Sequence, residues 1–245
     1  MKNELMRMLR GRGFFVSFLL AVTAVIAGTP WTELAADGLL ESGAFADLFY
    51  KALTSKIVCY VMPVIAVLPW SDSFLAEWKG GFLKSALPRT GRRAYMENKL
   101  LAVALGGFLA WMLAGALVLF GYFLVLFPME KRGAVPADAL LEAAMTLLRC
   151  GLIGGIFGSL GGISGVLGGS SYLAFGIPFV AYYFCMILQE RYFSDALWLY
   201  PPQWISGSAN WGANKEGLWL FLLLLLFVAC GAHAAALYAR LEELS

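Results

Sequence analysis

The sequence predicts an all-α integral membrane protein that forms a single domain over residues 1–245. Hydrophobic residues make up 60% of the chain, charged residues make up 14%, and the mean hydropathy is +0.74. Soluble domains carry about 25% charged residues, so this composition lies outside their range. Long apolar runs with few charges are typical of transmembrane helices, each of which needs roughly 20 residues.

Six apolar segments are candidate transmembrane helices. They are residues 13–28, 57–70, 100–127, 143–169, 171–188 and 217–238. The first two are short, and the second would begin near Phe49 if Lys51 and Lys56 extend their side chains to the membrane interface. The fourth and fifth segments are separated only by Ser170 and its small neighbours, which makes this boundary the least defined.

The distribution of basic residues predicts the orientation. The N-terminus, residues 71–99 and the C-terminal tail would share one side of the membrane. That side would hold eleven Lys and Arg residues, and the other side would hold seven. The positive-inside rule assigns the richer side to the cytoplasm, and six spans place both termini there. Residues 1–12 are amphipathic and are predicted to form an interfacial helix that leads into an uncleaved first span, although the start also resembles a signal peptide.

Several function classes find no support in the sequence. The net charge of +2 does not argue for nucleic-acid binding. His233 is the only histidine, so multi-histidine metal sites are excluded, and no phosphate-binding GxxxxGK[ST] loop is present. The four cysteines have no CxxC spacing and are read as buried hydrophobic residues. We therefore expect no catalytic residue, metal or cofactor in this chain, and Arg149 is the clearest candidate for a charge inside the membrane.

The fourth apolar segment is rich in glycine, with nine glycines between positions 151 and 169. They repeat at small-xxx-small spacing, which lets helix backbones approach closely in lipid. Tight packing within one subunit is the favoured interpretation. A sliding or subunit-contact helix in a transporter is the alternative.

The loop over residues 71–99 holds six of the eighteen Lys and Arg residues. Ser71 or Ser73 is expected to cap a helix over residues 72–87, and Pro88 is expected to break it. The helix would carry an apolar face and a polar face. The residues on or beside these faces are Asp72, Phe74, Leu75, Glu77, Trp78 and Phe82. The loop is predicted to be either an interfacial helix with basic anchors on anionic lipid or a docking helix for a soluble protein.

The segment over residues 190–216 lies on the opposite side and is rich in aromatic residues and helix breakers. Among them are Trp198, Pro201, Pro202 and Trp204. The segment is predicted either to dip back into the membrane, buried in protein, or to form an aromatic belt at the headgroup level.

The order of these features resembles a known family. An amphipathic N-terminal helix precedes six spans, and the loop after the second span ends in R-x-x-R-R-x-Y-x-x-x-K. An outer Pro-x-x-Trp precedes the last span, here residues 201–204. The chain resembles the permease subunit of a type-2 bacterial ABC exporter, the short kind whose ATPase is a separate chain. The loop motif consists of Arg89, Arg92, Arg93, Tyr95 and Lys99.

The resemblance implies a multi-pass protein of the bacterial cytoplasmic membrane that pairs with a second permease, of the same or a homologous chain. Cytoplasmic ABC ATPase subunits would bind ATP and Mg²⁺ and contact residues 72–87 as a coupling helix. Residues 1–12 would be the elbow helix, and residues 192–211 would form an outer gate. The glycine-rich fourth span departs from the family pattern.

Two other classes remain open. One is a membrane anchor subunit that does not transport, which the sequence leaves possible. The other is an ion-coupled carrier, which would need charges in mid-membrane and usually an internal repeat, and neither is evident. The transported substrate is not readable from the sequence.

Overall fold

The computed structural model of the protein describes residues 2–32, 40–131, 133, 136–212 and 215–243. Within these ranges the regular structure is helical, with no strand and a single isolated bridge between Leu40 and Glu130. The predicted all-α class is confirmed. The α-helices are α1 Lys2–Leu9, α2 Arg12–Ala27, α3 Ala44–Leu53, α4 Lys56–Val67, α5 Ser73–Lys79, α6 Leu83–Thr90, α7 Arg92–Leu126, α8 Ala137–Gly168, α9 Ser171–Arg191, α10 Pro201–Ser206 and α11 Glu216–Glu243.

Parts of the sequence predictions lie outside the described residues. They are the first residue of the predicted interfacial helix, residues 33–39, 132 and 134–135 between predicted spans, residues 213–214 of the outer aromatic segment, and the last two residues of the chain. The helix predicted over residues 1–12 is observed as α1, which ends at Leu9.

Four helices are long and apolar enough to cross a membrane, namely α7, α8, α9 and α11. Helices α3 and α4 pass the same test as a pair bent by 61°, which makes a fifth span if the pair is counted as one. Helix α2 is apolar but has only 16 residues. The chain is a multi-pass membrane protein by length and composition, with four or five spans of full length.

The bend between α3 and α4 has a local cause. Ser55 caps α4, and its side-chain oxygen accepts a hydrogen bond from the backbone amide of Val58 at 3.3 Å. Such a cap satisfies one of the free amides at a helix start and so favours a new helix at this point. The predicted second segment over residues 57–70 therefore corresponds to α4 and a turn, preceded by a separate helix.

Helix α8 lies at the centre of the protein, in contact with α3, α4, α7, α9 and α11. Its glycines permit this position. A Cβ atom on Gly107 of α7 would lie 2.1 Å from the carbonyl oxygen of Gly154, and a Cβ on Gly154 would lie 2.5 Å from the carbonyl oxygen of Gly107. The prediction of tight glycine packing within one subunit is confirmed at this contact.

The boundary between the fourth and fifth apolar segments is well defined in the structure. Helix α8 ends at Gly168 and is followed by Gly169, which adopts a left-handed conformation with φ of 61°; Ser170 then precedes α9 in an extended conformation. Glycine tolerates this backbone geometry at a helix end. The sequence prediction of a break at Ser170 is therefore confirmed.

We expect Gly154→Ala to lower the free energy of unfolding by about 1–3 kcal/mol, the usual cost of overpacking. The new methyl group would collide with the Gly107 backbone, which no side-chain rotation relieves. Gly121→Ala is the matched control, because nothing lies within 4 Å of a Cβ there, and it should be neutral or slightly stabilising. Denaturant titration in one detergent would measure both, and equal stabilities would contradict the close contact.

Candidate functional site

The loop after α4 forms two short helices rather than the single helix predicted over residues 72–87. Helix α5 ends at Lys79, Gly80 and Gly81 follow, the latter with φ of 72°, and α6 begins at Leu83. Pro88 lies inside α6, so the prediction that it breaks the helix is wrong. Lys84, four residues before it, is exposed, so water can solvate the carbonyl group that Pro88 leaves unpaired.

The start of α5 also differs from the prediction. Neither serine caps it, because the hydroxyl of Ser71 donates to the carbonyl oxygen of Gly158 at 3.1 Å and the hydroxyl of Ser73 has no partner within the described residues. Asp72 occupies the cap position without a side-chain hydrogen bond. Contact with α8 fixes the start of α5 in place of a local cap.

The apolar face predicted for this loop is only partly exposed. Phe74 and Leu75 are buried, and Phe74 belongs to a cluster that includes Tyr95 and Leu237. The prediction of an exposed face is wrong for these two residues, because α5 lies against the ends of α7, α8 and α11. Trp78 is half-buried under the guanidinium group of Arg240, at 4.4 Å.

Phe82 remains exposed at the turn between the two loop helices, with half of its surface accessible. Lys79, Gly80 and Gly81 beside it are also exposed. We call residues 79–82 the loop tip. Of the apolar residues predicted to dock a partner, Phe82 is the one most available to it.

Glu77 was predicted on the polar face of the helix but is buried. Its carboxylate accepts hydrogen bonds from the guanidinium group of Arg7 at 2.9 Å and from the hydroxyl of Tyr95 at 2.7 Å, and it pairs with the ammonium group of Lys99 at 3.1 Å. These partners belong to α1 and α7. We call Glu4, Arg7, Glu77, Tyr95 and Lys99 the loop-end ion network.

Lys99 is the centre of this network, with a side chain that is 1% exposed. Its ammonium group contacts the carboxylate of Glu4 at 2.5 Å as well as that of Glu77. The indole of Trp70 donates to Glu4 at 3.2 Å. Because a buried ammonium group is costly unless paired, these contacts hold α1 and α5 against α7.

The charge state of the network follows from its geometry. Burial alone would raise the pKa of Glu4, but the Lys99 ammonium group, the Trp70 indole and Arg7 hold that pKa below its ordinary value. Burial would lower the pKa of Arg7, but Glu4 and Glu77 raise it. Glu4 is therefore ionised and Arg7 is charged at neutral pH.

The structure divides the basic motif into two groups. Tyr95 and Lys99 are four residues apart, on one face of α7, and both point into the ion network. Arg89, Arg92 and Arg93 are exposed and take no part in the network. Arg93 forms a surface pair with Glu97 at 3.0 Å.

At the opposite end of the protein, the gate candidates come together around α10. Two prolines, Pro201 and Pro202, occupy its first two positions, where proline is favoured. Trp204 is buried, and its indole donates to the carbonyl oxygen of Trp198 at 3.0 Å. Its ring lies 6.4 Å from that of Phe157 on α8. Trp204 thus packs inside the protein, whereas the side chain of Trp198 is exposed.

Arg149, the predicted charge inside the membrane, supports the same segment from α8. Its side chain is 1% exposed and donates to Glu142 at 2.8 Å, to Thr146 at 2.6 Å and to the carbonyl oxygen of Ser206 at 3.2 Å. Lys215 also pairs with Glu142 at 2.6 Å. Sequence reasoning missed Glu142, although its spacing of seven residues from Arg149 places both on one helix face.

Glu4 was also missed, because its partners Trp70 and Lys99 lie 66 and 95 residues away in the chain. No local pattern marks such a contact. Within the described ranges, no group of three or more His, Cys, Asp or Glu side chains is placed to hold a metal ion.

No protein-family model matches the chain, and no curated protein matches it significantly. The resemblance to exporter permeases therefore rests on the order of the segments along the chain.

We expect Lys99→Met to lower the free energy of unfolding by about 3 kcal/mol, because it removes one of the two cations paired with Glu4 and Glu77 and leaves both carboxylates to share Arg7. Arg93→Met is the matched control. It removes an exposed pair and should cost less than about 1 kcal/mol. Denaturant titration in detergent would compare the two variants. An equal loss of stability in the two variants would contradict the claim that the buried network stabilises the fold more than an exposed ion pair does.

Proposed function

We propose that this chain is the transmembrane subunit of an ABC exporter, driven by separate ATPase subunits in the cytoplasm. The observation that carries the proposal is the construction of the loop between α4 and α7. One side of the loop is fixed to the spans by the ion network and by buried Phe74 and Leu75. The loop tip, with Phe82, remains exposed. A loop that transmits force needs both a rigid attachment and a free contact surface.

The proposed transmission runs from the loop tip to the membrane helices. An ATPase that moves the loop tip would pull on α5, and Glu77 would pass the displacement to Lys99 on α7 and to Arg7 on α1. Phe74 would carry the same displacement to the end of α11 through the cluster that includes Leu237. Packed elements of this kind shift as rigid bodies.

The six coupling candidates take different roles in this proposal. Phe74, Leu75 and Glu77 hold α5 on the spans, whereas Phe82 enters the partner. The ring of Trp78 is partly covered by Arg240, so Trp78 would contribute less than Phe82 to the contact with the ATPase. Asp72 begins α5.

The far end supplies the outer gate. Helix α10 lies between α9 and α11 in sequence and is bound to α8 through Trp204 and Arg149. Because α8 also contacts α5 at the opposite end, one helix connects the loop and the gate. A displacement of α8 would alter both ends together.

The proposed arrangement has six spans, with α2 and the bent α3–α4 pair as the first two. Both termini and the loop over residues 71–99 then lie in the cytoplasm, and the protein lies in a bacterial cytoplasmic membrane. A second permease, of the same or a homologous chain, completes the translocation path, and ATP and Mg²⁺ bind on the ATPases.

We expect a separate ATPase to co-purify with the tagged chain when the chain is extracted from its own membranes in mild detergent. The chain alone should show no ATP hydrolysis. Phe82→Ala should reduce the amount of co-purified ATPase, because aromatic anchors at interfaces commonly contribute about 2 kcal/mol or more. Phe193→Ala is the matched control, since Phe193 is 56% exposed and Phe82 is 50% exposed. ATP hydrolysis per mole of chain is the measurement. Undiminished ATPase in Phe82→Ala would refute docking at the loop tip.

The proposed orientation predicts the labelling of Ser85→Cys in a variant whose four native cysteines are replaced. Ser85 is exposed on α6, so a thiol there is accessible from its own side of the membrane. A membrane-impermeant maleimide should label it in inverted vesicles and not in intact cells. Labelling in intact cells would reverse the topology.

A further inference from the structure

A cavity of about 440 Å³ lies among α1, α5, α6 and α7 at the loop end. The ion network forms one wall of the cavity, and residues of α6 form the opposite wall. Arg89, Phe82 and Ser85 line the α6 side. The ring of Phe82 lies 5.5 Å from the guanidinium group of Arg7 and closes one side. We propose that this cavity binds the headgroup of one anionic phospholipid, a phosphodiester that carries hydroxyl groups, as in phosphatidylglycerol.

The charges of the lining favour a ligand with one negative charge. Two carboxylates, those of Glu4 and Glu77, face three cationic side chains, those of Arg7, Lys99 and Arg89. Arg7 and Lys99 are paired with the carboxylates. Arg89 has no hydrogen-bond or ion-pair partner within the described residues, so it is the cation available to a phosphate group. Arginine binds phosphate oxygens with two parallel hydrogen bonds.

The carboxylates define the rest of the headgroup. Glu4 and Glu77 accept hydrogen bonds and donate none in the ionised state. Glycerol hydroxyl groups can donate to their remaining lone pairs, whereas the trimethylammonium group of a choline headgroup has no hydrogen to donate. The cavity therefore suits a polyol phosphodiester better than a choline phosphodiester.

The position of the cavity points to a lipid as the source of this headgroup. Lys99 lies immediately before the apolar run of α7, so the cavity is level with the end of the hydrocarbon region. On α1, Met6 and Leu9 are exposed apolar side chains that acyl chains can cover. This inference is independent of ATPase coupling, because it depends only on the loop end lying at a membrane surface.

Native mass spectrometry of the full chain in detergent tests the proposal, with phosphatidylglycerol and phosphatidylcholine of equal chain length as the probes. We expect one retained phosphatidylglycerol and little phosphatidylcholine. Arg89→Gln should lower the retention by about tenfold, as expected for one lost charge-assisted contact. Arg89→Lys should restore part of it. Arg92→Gln is the matched control, since Arg92 borders the neighbouring cavities and not this one, and it should retain the lipid.

Three outcomes would overturn the assignment. The first is equal retention of the two lipids, and the second is equal loss in Arg89→Gln and Arg92→Gln. The third is binding of a soluble phosphate ester in place of the lipid, tested with glycerol 3-phosphate. If millimolar glycerol 3-phosphate bound in an Arg89-dependent manner while phosphatidylglycerol did not, the cavity would be a site for a soluble phosphate ester. Failure of glycerol 3-phosphate to bind, with lipid retained, supports the lipid.

Discussion

The contact between α7 and α8 at Gly107 and Gly154 is the constraint on which the rest of the structure depends. Each backbone carbonyl occupies the space in which a side chain of the other residue would lie. In lipid there is little hydrophobic force between helices, so close backbone packing must hold them together. This contact lets α8 occupy the centre, where it also meets α3, α4, α9 and α11. The loop end and the opposite end, with α10, are both positioned from this helix.

Each end of the protein contains a buried cation that joins different segments. At the loop end, Lys99 pairs with Glu4 and Glu77 from two other helices. At the far end, Arg149 pairs with Glu142 of its own helix and donates to the carbonyl oxygen of Ser206 in α10. Loss of these contacts would be costly because it would leave a buried charge uncompensated, so each cation stabilises one arrangement of the segments that it contacts. In the proposed exporter, these contacts make the loop and the gate move with the helices. At the loop end, the same network also forms the wall of the proposed lipid cavity.

Apolar run lengths in the sequence were sufficient to predict the long helices. The hydrocarbon core of a membrane requires about 20 apolar residues, and α7, α8, α9 and α11 each satisfy this requirement. The break at Ser170 was also predictable, because glycine and serine end helices by local chemistry. The bend at Ser55 and the division of the loop into α5 and α6 were not predicted. The bend depends on the hydrogen bond of the Ser55 cap, and the division of the loop depends on the positive φ of Gly81. A hydrophobicity pattern contains neither feature.

The sequence by itself determined the membrane class, the principal spans, the glycine-rich helix and the presence of a basic, amphipathic loop, because composition and local periodicity encode these properties. Only the tertiary structure decided which loop residues are exposed. Phe74, Leu75 and Glu77 have the residue types of a docking helix, yet they are buried, while Phe82 is left accessible. Glu77 is buried against Arg7 and Lys99, and Phe74 is buried in a cluster with Tyr95 and Leu237. These partners lie on other helices, so the contacts form only when the helices have packed.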